Sequence, residues 1–142
     1  MEAFGRMIAM VVCVVGLVFF TCYQKTVAVQ WQKNETVREL SQDYTDRILE
    51  DKCILEKDWE VFQRQLAGYG NYQVRLIIYE RKRYEGESGR VYLFSETAYE
   101  TGDQVLTEGS YVRLVVTEEE KSKSEIFLYG TEIQVAVGGR IQ

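Results

Sequence analysis

The chain has 142 residues, a net charge of −5, 46% hydrophobic and 27% charged residues, and neither histidine nor proline. One domain fits that length, wholesale disorder does not fit that composition, and the acidic balance argues against a nucleic-acid partner. Without histidine there is no Ser-His-Asp triad, no Cys-His pair and no zinc site built on imidazole; without proline there is no PxxP ligand.

Between Arg6 and Lys25 lie eighteen uncharged residues, MIAMVVCVVGLVFFTCYQ. An eighteen-residue helix is about 27 Å long, close to the hydrocarbon thickness of a bilayer. Gly16 and Thr21 are compatible with a membrane helix, where a threonine hydroxyl bonds back to the backbone. A cleaved signal peptide is the competing reading. Its cleavage site is poor: the nearest small-x-small run, Thr26-Val27-Ala28, lies beyond Lys25. The expectation is therefore an uncleaved, single-pass anchor over residues 1–24 in the cell membrane. Met7, Met10, Val14, Gly16, Leu17 and Phe20 are its candidate membrane and assembly positions. Arg6 balances Lys25 and Lys33 across the run, so positive charge barely sets orientation. The large following domain suggests an extracytoplasmic C-terminal part. Cys13 and Cys22 are nine steps apart, on opposite helix faces, so one helix cannot bridge them. Cys53 stands alone outside the membrane run, either a partly buried thiol or one arm of an intermolecular disulfide.

No glycine occurs between Gly16 and Gly68, so the helix is expected to run on into water over residues 25–53. Val27, Trp31, Val37, Leu40, Tyr44 and Ile48 form its apolar stripe. That stripe has two readings: packing on the chain's own sheet, or packing on neighbouring subunits. A second helix is predicted over residues 56–67, with Trp59, Phe62 and Leu66 at helical spacing and Gly68 and Gly70 as left-handed terminators.

From Tyr72 the composition turns β-branched and aromatic. YQVRLIIYERKRY is a strand with Val74, Leu76 and Ile78 on one face. Residues 85–89 form a turn, and VYLFS is a second strand. Residues 100–109 are a polar connection. YVRLVV places Val112, Leu114 and Val116 inward. Residues 117–125 read as a solvated hairpin tip. IFLYGTEIQVAV is a last strand, bent at Gly130, with Ile133, Val135 and Val137 on one face. Short connections favour antiparallel pairing. The fold class is α+β: a transmembrane helix continuing into a long amphipathic helix, a short second helix, then a small antiparallel sheet, with residues 54–142 as an extracytoplasmic α+β domain.

Charge divides unevenly. Residues 1–34 carry Arg6, Lys25 and Lys33 against Glu2, a net +2; the remainder holds fourteen basic and twenty-one acidic residues, a net −7. A domain this acidic is repelled by an anionic lipid surface.

No catalytic constellation stands out, and the reading is non-enzymatic, with no cofactor, metal or small-molecule substrate. Glu118-Glu119-Glu120 lacks the spaced ligands and central glycine of a calcium loop. Glu80-Arg81-Lys82-Arg83, flanked by Tyr79 and Tyr84, is too short for a nucleic-acid footprint and suits a charged strand end that resists edge pairing. Gly138-Gly139 lacks the strand–glycine–helix context of a phosphate loop. Asn34-Glu35-Thr36 matches a glycosylation sequon, which matters only on a eukaryotic secretory path. Ten tyrosines suit either a subunit contact or cross-strand packing.

The start MEAFGRMIAMVVCVVGLVFF and the middle ILEKDWEVFQRQLAGYGNYQVRLIIYERK give an order of features similar to small pseudopilin-like proteins. Those belong to tight-adherence (Tad) pili and related type IV pilus-type secretion systems of Gram-positive bacteria. The resemblance implies an apolar helix used for assembly, a sheet used for contacts, and other pilin-like subunits or envelope assembly proteins as partners. Pilins carry a Glu at the fifth mature position. Here cutting after Gly5 would leave none, so a minor or accessory component is implied. The rival expectation is a bitopic envelope scaffold that pairs with a partner through its soluble helix.

Overall fold

The computed structural model describes residues 1–86, 89–119 and 134–142. Two compact units divide the chain, Met1–Lys33 and Asn34–Gln142.

The first unit lies within helix α1 (Glu2–Asp51). Residues 7–24 are all exposed, and α1 contains a stretch long and apolar enough to cross a membrane. Thr21 Oγ1 donates to the Leu17 carbonyl at 2.8 Å, and Thr26 Oγ1 to the Cys22 carbonyl at 2.9 Å. Hydroxyls bonded inside the helix need no water, which is what a hydrocarbon solvent requires.

The second unit is a two-layer α+β domain. One layer is a four-stranded antiparallel sheet in the order β3-β2-β5-β6, formed by β2 (Tyr72–Gly86), β3 (Gly89–Ala98), β5 (Tyr111–Glu118) and β6 (Gln134–Arg140). The other is the C-terminal part of α1 with α2 (Glu56–Ala67). The period of two along each strand assigns the faces. Leu76 and Ile78 of β2, Val112, Leu114 and Val116 of β5, and Val135 of β6 enter the core. Val37, Tyr44 and Ile48 meet them from α1, and Trp59, Phe62 and Leu66 from α2, with Leu40, Val74 and Val137 packed at the margin. Burying each such side chain is worth about 1.5–3 kcal/mol.

Two small polar residues share that buried helix face. Ser41 Oγ donates to the Val37 carbonyl at 2.7 Å, and Thr45 Oγ1 to the Ser41 carbonyl at 2.9 Å. Each hydroxyl is satisfied within α1, so neither carries an unmet desolvation cost.

The helix ends follow chemistry that the sequence signals only in part. α1 stops where Lys52 takes φ 54°, a left-handed position usually held by glycine. The α2 N-cap, Leu55, has no capping side chain. Asp103 supplies the cap from a distant loop, accepting the Glu56 N–H at 2.9 Å. At the other end Gly68 remains right-handed, and its N–H bonds the Gln65 carbonyl at 3.2 Å. The expected left-handed turn falls at Gly70 alone, at φ 151°.

The predicted polar connection over 100–109 contains a short strand, β4 (Gln104–Val105), which pairs antiparallel with β1 (Cys53–Ile54). Two-residue strands leave no period to detect. The second predicted strand is longer than VYLFS, running Gly89–Ala98. Glu118 is not part of a solvated tip: it closes β5 and is buried. The tip at 120–125, Ile133 and the bend at Gly130 lie outside the described residues, as do positions 87–88 of the predicted turn.

Candidate functional site

The predicted assembly positions Met7, Met10, Val14, Leu17 and Phe20 are each at least 59% exposed. A side chain added at Gly16 would meet nothing within 4 Å. The first unit therefore offers a run of apolar surface with no core of its own, a surface that water does not tolerate at this size.

The soluble stripe divides. Val37, Tyr44 and Ile48 are buried in the chain's own core, and Leu40 packs against it. Val27 is half-buried and Trp31 is 69% exposed. Tyr44 stacks on Phe62 with ring centroids 4.5 Å apart, and Trp59 meets Tyr99 edge-on at 5.5 Å. Burial raises the phenol pKa of Tyr44, with Tyr99 and Asp58 adding to it. Burial, then Glu118, lifts Tyr72 to about 12. Burial, then Glu56 and Asp103, raises Tyr99. All three phenols move away from neutrality, so none is poised for proton transfer near pH 7. Among the described residues no three His, Cys, Asp or Glu side chains gather as a metal site. Arg81 and Lys82 straddle β2 rather than cluster, because neighbours on a strand point to opposite faces, and Glu119 lies beyond the end of β5.

The outer face of the sheet carries a group of residues that are scattered in sequence. Register aligns Tyr79, Tyr111 and Arg140 in one row and Ile77, Arg113 and Gly138 in the next. Arg81 stands opposite Phe94, and Tyr79 opposite Glu96. Tyr79, Arg81, Phe94, Tyr111, Arg113, Gly138 and Arg140 of this face help line an open groove of about 910 Å³. Its low ground is Gly109, Ala136 and Gly138; its relief is Tyr79, Phe94, Tyr111 and the arginines 81, 113 and 140. The Tyr79 and Tyr111 rings lie 6.0 Å apart at 52°. Gly138 makes room for this, since a Cβ there would stand 2.6 Å from Tyr111 Oη. Among the residues whose side chains are described, Arg75 from the Val115 row joins Arg81, Arg113 and Arg140 on this face, with Glu96 beside them. Of the basic run Arg81-Lys82-Arg83 seen in the sequence, Arg81 lines the groove; alternation along YVRLVV turns Arg113 outward, and register brings Arg113 and Arg140 beside it. The one available signal was their odd-even phase relative to the buried valines.

No family model, no characterised protein and no solved structure matches this chain.

Proposed function

We propose that this chain is a non-enzymatic, membrane-anchored, pilin-like component of a pilus or secretion assembly, minor or accessory in role. Its apolar helix packs against other helices, and its sheet makes contacts outside the membrane. The observation that carries the reading is the exposed, uncharged run over residues 7–24 ahead of a compact helix-then-sheet unit. In a bilayer such a run is solvated by lipid, and in an assembly by like helices, with Gly16 permitting close approach. The scaffold reading draws less support. Four of the six residues it would present to a partner helix, Val37, Leu40, Tyr44 and Ile48, are engaged in the chain's own core. That leaves it Val27 and Trp31.

The test is immunoblotting of sheared surface material against washed membranes, using a C-terminal tag and a membrane-resident control. Recovery with the sheared fraction, control absent, is the expected result. Retention only in membranes, together with protection of the tag from external protease, overturns the reading. Gly16→Leu should reduce the sheared fraction severalfold while leaving membrane insertion intact. Unchanged assembly would show that the helices do not approach at Gly16.

A further inference from the structure

The domain Asn34–Gln142 carries its charge on two separate surfaces. On the exposed back of α1 stand Glu35, Glu39, Asp43, Asp46 and Glu50, all accessible. At 100° per residue these five fall within an arc of about 80°, opposite the buried positions 37, 41, 44 and 48. Carboxylates at i, i+3 and i, i+4 repel one another and weaken an isolated helix. The Lys52–Glu108 and Arg64–Glu60 ion pairs lie elsewhere. Beside the stripe runs a smaller groove of about 250 Å³ between α1 and α2, with Asp43, Arg47 and Asp58 in its wall. The sheet's outer face has the opposite character: Arg81, Arg113 and Arg140 around an aromatic groove.

We infer that the outer face of the sheet is the docking surface for a second copy of this chain, whose acidic α1 stripe it receives. The inference rests on the assembly reading for its setting and adds to it the pair of surfaces that would join two copies. Charge complementarity selects the occupant. The acidic stripe is linear and helical, and it arrives on a body that offers its own arginine face to the next copy. Arginine is suited to this role because its planar fork engages carboxylates in pairs and stacks on tyrosine. A contact between different surfaces of identical chains is heterologous, so it leaves one stripe and one groove open at the ends and propagates.

The experiment uses the full chain in membranes, with Cys13, Cys22 and Cys53 replaced by alanine. Two differently tagged copies are co-expressed, one bearing Gln42→Cys beside the stripe and the other Ala136→Cys in the groove. A short bis-maleimide reports proximity. The expected result is a mixed 42–136 adduct that exceeds either like-with-like adduct. It should fall about tenfold when Arg113→Glu and Arg140→Glu are added to the groove copy, since like charges meet across the interface. It should return when Glu39→Arg and Asp43→Arg are added to the stripe copy. It should also fall in 1 M salt, where screening shortens to about 3 Å. Circular dichroism of each purified full chain in detergent checks folding; if the double reversal unfolds, Arg113→Gln with Arg140→Gln replaces it. Absence of the mixed adduct overturns the inference, as does a 136–136 adduct in excess or a mixed adduct indifferent to charge reversal. Loss of the adduct with retention on immobilised polyphosphate would assign the face to a polyanion instead. Adduct formation is read in membranes, so its failure is distinct from failure to enter sheared filaments.

Discussion

Gly138→Ala tests whether the outer groove is built as described. The position has no left-handed backbone requirement, since Gly138 is not among the residues with positive φ. Replacing a glycine in ordinary extended geometry restricts the unfolded chain and stabilises by about 0.4–1 kcal/mol when space allows. Here space does not allow it. The new Cβ would stand 2.6 Å from Tyr111 Oη and 2.8 Å from the Val112 carbonyl oxygen. Tyr111 is 40% exposed and can swing aside. The Val112 carbonyl belongs to the β5 backbone, paired in register with β6, and cannot move without disturbing that ladder. Overpacking of this kind costs about 1–3 kcal/mol, which exceeds the entropic gain, so a net loss of about 1–2 kcal/mol is expected. The assay is urea unfolding of the full chain in detergent, read from the fluorescence of buried Trp59. Gly16→Ala serves as the control, because nothing lies within 4 Å of its added methyl. Combining Gly138→Ala with Tyr111→Phe should recover only part of the loss, the hydroxyl clash but not the backbone one. A neutral or stabilising Gly138→Ala would refute the placement of Tyr111 and β5 beside β6.

Tyr44→Phe should raise stability by up to about 1 kcal/mol, because the buried Tyr44 hydroxyl has no hydrogen-bond partner while its ring stacks on Phe62; a loss in the same urea assay would show that the hydroxyl is satisfied. Lys52→Gly should stabilise by about 0.5–1 kcal/mol, since relief of the left-handed φ of 54° outweighs an exposed ion pair with Glu108 worth at most about 1 kcal/mol; a lower urea midpoint would contradict this. Alkaline pH should destabilise the fold. Tyr44, Tyr72 and Tyr99 all hold their protons above the ordinary value of 10.0, so the unfolded chain loses its phenol protons first. Their contribution is complete below pH 10 and falls as pH rises, ending near pH 12 for Tyr72. Tyr72→Phe should flatten that decline, and an unaltered slope of urea midpoint against pH would exclude Tyr72 as a source.

What the sequence disclosed depended on whether one short window held the cause. α2 was legible because its apolar period, its length and its closing glycines all fall within residues 56–70. The inward faces of β2 and β5 were legible because alternation is local. The α1 stripe was visible too, but not the answer to what it packs on, because that depends on a sheet beginning at Tyr72. Ser41 and Thr45 are core residues that the apolar stripe does not include, because a polar side chain carries no hydrophobic period; back-bonding to α1 carbonyls is what lets them be buried. Asp103 capping Glu56 and the Cys53–Val105 pairing join segments about fifty residues apart, and no window contains both partners. The groove follows the same rule. Arg81, Arg113 and Arg140 become neighbours only once the order β3-β2-β5-β6 and its register are known.

The weakness of any single ion pair does not count against a contact of this kind. An exposed pair contributes about 0–1 kcal/mol, too little to hold two free domains together at ordinary concentrations. Chains anchored in one bilayer are not free in that sense. Confinement to a shared surface acts as a tether does, converting the second encounter into a nearly intramolecular one at an effective concentration on the order of millimolar. In the proposed assembly a set of arginine–carboxylate pairs would be enough to select orientation, while apolar helix contacts within the membrane would supply affinity. The two surfaces then have separable signatures. Charge reversal at Arg113 and Arg140 should change which faces meet and how the contact responds to salt. Gly16→Leu should change how much assembly occurs, with salt response unaltered. If both substitutions instead gave one and the same phenotype, the division of labour between membrane helix and sheet face would fail.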